Sequence, residues 1–176
     1  IEIADPYRIV VLADGTKISC HAILLATGSS FQTLKMPGAA ELTGAGVYYG
    51  AAHTEAHSYR DQPVCVVGGA NSAGQGAMFL SRYASKVTML VRSELTTSQY
   101  LTDLLKQNEK IEIREHTDLL ALHGKEKLEA LTIRDTKANN EETLDAAALF
   151  VFIGVKPGSV IAKDLVRCDE KGYVIT

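Results

Sequence analysis

Residues 64–74 combine residue types that, at this spacing, build an anion-binding turn. Four apolar residues run directly into Gly68 and Gly69, and a series of small residues follows. We interpret the apolar residues as a buried strand and the small residues as the start of a helix. Gly68 stands where the tight turn requires a residue without Cβ, and Ala73 where the helix must pack closely on the strand. The helix N-terminus then offers N–H groups and a partial positive charge to a pyrophosphate.

This pattern predicts a dinucleotide site, and it departs from the usual form at one position. The form G-x-G-x-x-G/A would place its second glycine at Ala70, where the backbone approaches the phosphates most closely. The methyl group of Ala70 either displaces the pyrophosphate outward or shifts it only slightly. The alternative is a glycine-rich strand-to-helix turn that binds no ligand. The predicted cofactor-binding residues of the turn are Gly68, Gly69, Ala70, Asn71, Ser72 and Ala73.

The residue after the next predicted strand bears on which dinucleotide binds. Residues 86–91 read as this second strand, and Arg92 follows them, about twenty residues beyond the glycines. An acid at this place favours NAD through the ribose 2′-hydroxyl, whereas an arginine suits the 2′-phosphate of NADP. Arg92, with Ser93 beside it, therefore predicts NADP(H), although Glu94 offers an acceptor for a 2′-hydroxyl. The competing interpretation of Arg92 is a solvated charge at a strand end.

Composition limits the classes of protein to which the chain can belong. Its 176 residues, 46% of them apolar, allow one globular domain or parts of two, and its net charge of −3 does not suggest a nucleic-acid partner. No apolar run is long enough to cross a membrane, so no membrane partner is expected. The three cysteines form no C-x-x-C pair, which favours a reducing compartment, the cytoplasm.

Two further chemical groups receive a structural interpretation. Cys65 lies inside the predicted buried strand and is expected to be a small core residue rather than a reactive thiol. His53 and His57 lie four residues apart, as metal ligands on a helix do, but Thr54 stands where a zinc-protease motif requires glutamate. We therefore predict no metal site.

Apolar periodicity and turn residues predict the elements that must position the turn. An Asp-Gly pair predicts a hairpin, and the segments after residue 110 predict a meander of strands. In chain order, the predicted elements are a hairpin over 7–20, a buried strand over 22–25, helices over 51–57, 71–83 and 97–107, strands over 111–115, 117–122, 128–135 and 142–144, a buried strand over 147–153, and a last short strand in the tail 164–176.

Five segments in order resemble the thioredoxin-reductase-like branch of the FAD- and NAD(P)-dependent pyridine nucleotide-disulfide oxidoreductases: residues 24–28, 44–47, 66–73, 91–92 and 149–154. The resemblance covers essentially the whole chain. It implies an α/β fold in which a Rossmann-like three-layer nucleotide-binding domain with a β-meander insertion is flanked by pieces of an FAD domain. The implied division is 1–46 and 154–176 as partial FAD-domain segments, and 47–153 as the NAD(P)H-binding domain.

The same resemblance implies contacts with a second cofactor. The cofactor-binding residues it adds are Ala26, Thr27 and Gly28, which lie against FAD in the family, together with Ile153 and Gly154. The glycine-rich unit that holds the ADP half of FAD in the family is expected before residue 1. We therefore expect the chain to be an internal portion of a longer flavoprotein and not to hold FAD properly alone.

The chain departs from the family where thiol chemistry occurs. Counting back from Gly68, the family's C-x-x-C falls on residues 51–54, which are Ala-Ala-His-Thr here. Disulfide reduction by this route needs an attacking thiolate and a resolving thiol. Neither is present, so we assign no catalytic residue. Of the family's paired arginines after the second strand, Arg92 alone is retained, and the pattern is similar to that of the cysteine-free relatives.

Three functions follow as hypotheses. The first is an NADPH-dependent flavoprotein oxidoreductase that passes hydride to FAD and electrons to an unidentified acceptor such as a redox protein. The second is a non-catalytic nucleotide-sensing module with the same fold, and the third is a structural domain with an empty, degenerate site. Because the family often forms dimers, a homodimer is a further expectation.

Overall fold

The computed structural model of the chain describes residues 1–51 and 53–175. They form two compact units, a larger unit of Thr33–Ile153 and a smaller unit that combines Ile1–Gln32 with Gly154–Thr176. The larger unit begins at Thr33, and Ala39 and Leu42 are buried in its core. Which cofactor each segment contacts stays a prediction.

The strands are short and the helices few. The helices are α1 (His53–Ser58), α2 (Asn71–Leu80) and α3 (Gln99–Gln107), and a 3₁₀ turn covers Ser159–Ala162. The strands, in chain order, are β1 (Glu2–Ala4), β2 (Tyr7–Val11), β3 (Lys17–Cys20), β4 (Ser29–Phe31), β5 (Val47–Tyr49), β6 (Pro63–Val67), β7 (Lys86–Leu90), β8 (Ile111–Arg114), β9 (Thr117–His123), β10 (Ala130–Asp135), β11 (Asn140–Asp145), β12 (Ala148–Val151) and β13 (Val155–Pro157).

A five-stranded parallel sheet organises the larger unit. Its order is β5-β12-β6-β7-β8. The chain steps outward from β6 to β8 through α2 and α3, and then returns to place β12 on the other side of β6. Sequence order therefore reverses beside β6, and crevices at such points, at the carboxyl ends of the strands, are where α/β sheets bind ligands.

Successive residues of the central strands face two different cores, as the pleat requires. Val64 and Val66 pack with the helices, whereas Cys65 packs with the meander of β9, β10 and β11. The three layers are therefore helices, parallel sheet and antiparallel meander, and this confirms the predicted fold class. The inward stripe of α2 is buried: Ala73, Ala77 and Leu80, followed by Ala84 just beyond the helix.

The smaller unit consists of a three-stranded antiparallel sheet, β1-β2-β3, and a two-stranded pairing of β13 with β4. The predicted hairpin is confirmed, with Gly15 at φ 86° in its turn. The predicted strand over 22–25 is wrong, because this segment has no strand partner among the described residues and Leu24 is 92% exposed. The last predicted strand is reduced to a single bridge between Cys168 and Val174, and Thr176 lies outside the described residues.

Helix α3 begins at Gln99 rather than at residue 97, and the other main differences from the prediction are the end of α2 and the start of α1. Helix α2 ends at Leu80, and the residues after it form hydrogen-bonded turns through Ser81, Arg82 and Tyr83. Helix α1 begins at His53, and residue 52, which was included in the predicted helix, lies outside the described residues. None of these differences moves the glycine-rich turn.

Candidate functional site

The turn between β6 and α2 depends on a glycine at position 68. Gly68 adopts φ 139°, a conformation that is essentially restricted to glycine. A Cβ at this residue would lie 2.5 Å from the carbonyl oxygen of Phe152, beyond the end of β12. Its N–H donates to the carbonyl oxygen of Leu90 at 3.1 Å. The turn is therefore fixed to the strands on both sides of β6.

The loop from β7 to α3 is hydrogen-bonded onto this turn. The carbonyl oxygen of Gly69 accepts the N–H of Thr96 at 2.8 Å. A Cβ added at Gly69 would lie 2.6 Å from a methyl group of Val91. The side chain of Asn71 accepts the N–H of Ser98 at 2.8 Å. Ser98 is the N-cap residue of α3, and its side chain makes no capping hydrogen bond. Gly69 and Asn71 thus hold the loop, and their contact with a cofactor stays a prediction.

The N-terminus of α2 has the features of an anion site. Its N-cap residue is Ala70, at φ −95° and ψ 177°, and within the described residues no side chain caps the helix there. The first turn of α2 contains no acidic residue, and Ala70, Asn71 and Ser72 are exposed. The first N–H groups of a helix lack intrahelical acceptors, so they are suited to bind phosphate oxygens. Ala70 takes an ordinary extended conformation, so the alanine does not strain the turn.

Small residues in α2 allow close packing around the turn. Ala73 is fully buried, and a Cβ at Gly74 would lie 2.9 Å from the side chain of Leu101 in α3. A Cβ at Gly76 would lie 2.5 Å from the ring of Phe152. The two interior glycines therefore allow α2 to pack closely against α3 and Phe152.

Arg92 follows β7 at the same edge of the sheet as the glycine turn, as predicted. Its Nε lies 3.6 Å from Oδ1 of Asp118, and its side chain is 89% exposed. The exposed Ser93 accepts the N–H of His116 through its carbonyl oxygen at 3.0 Å. The sequence analysis did not include Asp118 in this site, because Asp118 comes from β9 and no motif spacing connects it to β7.

The predicted FAD-contacting residues lie in the smaller unit, apart from Ile153, which ends the larger one. Gly28 adopts φ 63°, and its carbonyl oxygen accepts the N–H of Gly158 at 2.8 Å. The hydroxyl of Thr27 donates to the carbonyl oxygen of Gly158 at 2.6 Å. Gly154, at φ 106°, accepts the N–H of Gln32 at 3.0 Å. Ala26 precedes Thr27 within residues 22–28, which form no strand in the described part of the chain. The two chain segments of this unit are therefore held together at Thr27 and Gly28, and the contacts with FAD stay a prediction.

Aromatic side chains contact His53, which lies in the segment where the resemblance places the family's dithiol. Nδ1 of His53 lies 3.1 Å from the hydroxyl of Tyr83, and the hydroxyls of Tyr48 and Tyr59 lie 2.9 Å apart. Burial and the hydrogen bond with Tyr48 raise the pKa of Tyr59, so its hydroxyl stays protonated. Among residues 1–51 and 53–175 no cluster of three metal-binding side chains occurs. Residue 52, inside the predicted C-x-x-C position, lies outside the described residues.

The interpretation of Cys65 as a core residue is confirmed. The residue is 1% exposed, and burial raises the pKa of its thiol to about 12. A thiol of this pKa is almost fully protonated at neutral pH, whereas nucleophilic thiol chemistry requires the thiolate.

Comparisons with known proteins identify the family of the chain. The family model described as pyridine nucleotide-disulphide oxidoreductase matches residues 1–176. The chain belongs to this family. The thioredoxin reductase of Mycolicibacterium smegmatis is 35% identical over 175 residues, which are 99% of this chain and 56% of the relative. Thioredoxin reductase 1 of Saccharomyces cerevisiae is 39% identical over 166 residues, or 93% of this chain and 52% of the relative.

Solved structures of this oxidoreductase family share the fold. The crystal structure of Lactococcus lactis thioredoxin reductase in its FR conformation aligns with a TM-score of 0.86 and 25% identity, covering 99% of this chain and 58% of that protein. The thioredoxin reductase of Streptococcus pyogenes aligns with a TM-score of 0.82 and 28% identity, covering 99% and 57%. The chain thus spans somewhat more than half the length of these relatives. No helix within its described residues is long and apolar enough to cross a bilayer.

Proposed function

We propose that the larger unit binds NADP(H) for a thioredoxin-reductase-like flavoprotein oxidoreductase of which this chain forms part. The observation that carries the proposal is the uncapped N-terminus of α2, which follows a glycine turn fixed against Phe152. An acidic first turn or a side-chain cap would compete with a pyrophosphate, and neither is found there among the described residues. The donor set at this edge therefore fits a dinucleotide.

Different residues at this edge would bind different parts of the dinucleotide. The first-turn N–H groups of Asn71, Ser72 and Ala73 would hold the pyrophosphate, with Gly68 and Gly69 shaping the turn and Ala70 allowing its approach. Arg92, beside Ser93, would contact the 2′-phosphate. When bound, NADPH supplies a hydride that FAD accepts, and the chain's own part is to bind and orient.

In the longer protein, we place Ala26, Thr27, Gly28, Ile153 and Gly154 against FAD. The exposed apolar side chains of the smaller unit support the proposal that a partner packs on this unit.

This sequence has no C-x-x-C at residues 51–54, which indicates that electrons leave by a route other than a dithiol there. A redox protein is the acceptor class we propose. One relative, 34% identical over 176 residues, is named a bifunctional thioredoxin reductase/thioredoxin of Mycobacterium leprae. The homodimer and the cytoplasmic location stay predictions.

Calorimetric titration of the chain with NADPH and NADH, at matched salt, tests the cofactor assignment. Hydrogen bonds to charged groups contribute about 1.5–3 kcal/mol, so Arg92→Ala should weaken NADPH binding about ten- to hundredfold and leave NADH binding nearly unchanged. No heat with either nucleotide would contradict the proposal. NADPH oxidation with artificial acceptors by the longer protein then separates an oxidoreductase from a nucleotide sensor, because a sensor does not turn over.

A further inference from the structure

Arg92 is not the only guanidinium group near the end of β7. Asp118 lies 3.6 Å from Arg92 through Oδ1 and 3.6 Å from Nη2 of Arg134 through Oδ2. One carboxylate therefore stands between two arginines that are 42 positions apart in the sequence. Both guanidinium groups therefore face the same carboxylate.

Backbone hydrogen bonds bring the three residues together. The N–H of Thr117 donates to the carbonyl oxygen of Val91 at 2.9 Å, and that of His116 to Ser93 at 3.0 Å. The segment before Asp118 is thereby fixed beside Arg92. Because the chain enters β9 directly from this turn, Asp118 lies at the same sheet edge as the glycine turn.

Strand register then places Arg134 on the same face as Asp118. The two residues are direct partners in the antiparallel pairing of β9 with β10. Side chains directly opposite each other in such a pair lie on one face of the sheet and interact. The position of Arg134 is therefore set by the register of two strands.

The contacts leave both arginines able to bind an anion. At 3.6 Å, each ion pair with Asp118 is longer than a hydrogen bond, so it orients a guanidinium group without using its donors fully. The side chains of Arg92 and Arg134 are 89% and 38% exposed, and that of Asp118 is 28% exposed. The three side chains of Arg92, Asp118 and Arg134 together carry one net positive charge.

We propose that Arg134 is a second specificity-determining residue for the 2′-phosphate of NADP(H), positioned beside Arg92 by Asp118. The inference rests on the proposed function of the larger unit. Arg134 comes from β10 of the meander, whereas Arg92 comes from the segment after β7. Guanidinium groups suit this role because their donors match phosphate oxygens in pairs.

Calorimetric titration of the full chain with NADPH and with NADH tests the assignment. Arg134→Met should weaken NADPH binding about tenfold and leave NADH binding within about twofold, since only NADPH carries the 2′-phosphate. Arg82→Met is the matched control. It removes the same charge from an exposed residue beyond the C-terminal end of α2, and it should change neither affinity.

Two further variants make the result independent of folding. If Arg134→Met does not fold, Arg134→Lys keeps the charge but loses the paired donors, and should lower NADPH affinity by about threefold. In Arg92→Met/Arg134→Met, the losses should not add, because both side chains would bind one phosphate. Wild-type chain that prefers NADPH, with Arg134 variants indistinguishable from Arg82→Met, would overturn this inference and leave the proposed function intact. Wild-type chain that binds neither nucleotide would overturn both.

Discussion

The larger and smaller units differ in the exposure of their apolar side chains. Among the described residues, the fully buried apolar side chains lie in the larger unit, with the exception of Ala162. Conversely, large apolar side chains that are exposed lie in the smaller unit, with the exception of Tyr100. Ala162 contributes little buried area, so the smaller unit, considered by itself, has no substantial core.

This difference shows where the candidate site obtains its rigidity. Every contact that shapes the glycine turn comes from within the larger unit: Phe152 beyond β12, Leu90 at the end of β7, and the loop that follows. Burial of apolar area is the main source of folding free energy. The candidate site therefore belongs to the unit that contains the buried apolar core, whereas residues 26–28 do not.

Thiol labelling gives the largest expected contrast between the units. Cys65 is buried and its thiol pKa is raised to about 12, while Cys20 and Cys168 of the smaller unit are partly exposed. A domain stable by about 5–15 kcal/mol opens rarely, so Cys65 should be alkylated at least roughly a thousandfold more slowly. A time course followed by mass spectrometry measures the three rates. Equal rates would mean that the larger unit has no closed core.

Leucine truncations compare the two units by the same chemical change. Leu149 in β12 is fully buried, whereas Leu24 is 92% exposed. Leu149→Ala should lower the free energy of unfolding by about 2–5 kcal/mol, because it removes buried groups and leaves a cavity. Leu24→Ala should change it by less than about 0.5 kcal/mol. Urea unfolding of both variants measures the difference, and a large loss for Leu24→Ala would show that the smaller unit has its own core.

Glycine substitutions separate steric collision from backbone strain. Gly68→Ala combines a backbone conformation disfavoured for alanine with a Cβ 2.5 Å from the carbonyl oxygen of Phe152, and should cost about 2–4 kcal/mol. Gly15→Ala in the smaller unit, at φ 86° with no atom within 4 Å of its Cβ, should cost only about 1–2 kcal/mol of strain. The urea midpoints of the two variants test this. Equal losses would mean that the turn can move away from Phe152.

The sequence predicts most of the larger unit because its signals are local. Val64–Val67 and the glycines that follow specify a strand, a turn and a helix within a few residues, and the structure has all three. In the smaller unit, residues 22–25 are as apolar as a buried strand, yet they form none. An apolar run becomes a strand only when another strand pairs with it, and pairing is not a local property.

The charged side chains that lie near Arg92 could not be predicted from the spacing of residues in the sequence. The turn after β8 places Asp118 near Arg92. The register of β9 with β10 places Arg134 opposite Asp118. A register shift of one residue would turn Arg134 to the other face of the meander. Only the folded structure therefore shows that Asp118 faces a second guanidinium group besides that of Arg92.

The most direct test of the account replaces the N-cap of α2 and measures stability and nucleotide affinity together. Ala70→Asp places a carboxylate at an extended N-cap, where it should accept a first-turn N–H and stabilise the chain by about 0.5–2 kcal/mol. The same carboxylate competes with a pyrophosphate, so NADPH affinity should fall at least about tenfold. Ala70→Gly, the control, should bind NADPH at least as tightly as the wild-type chain. A more stable Ala70→Asp chain with weakened NADPH binding is the predicted result, and unchanged NADPH binding in that variant would contradict the assignment of this helix terminus as the cofactor site.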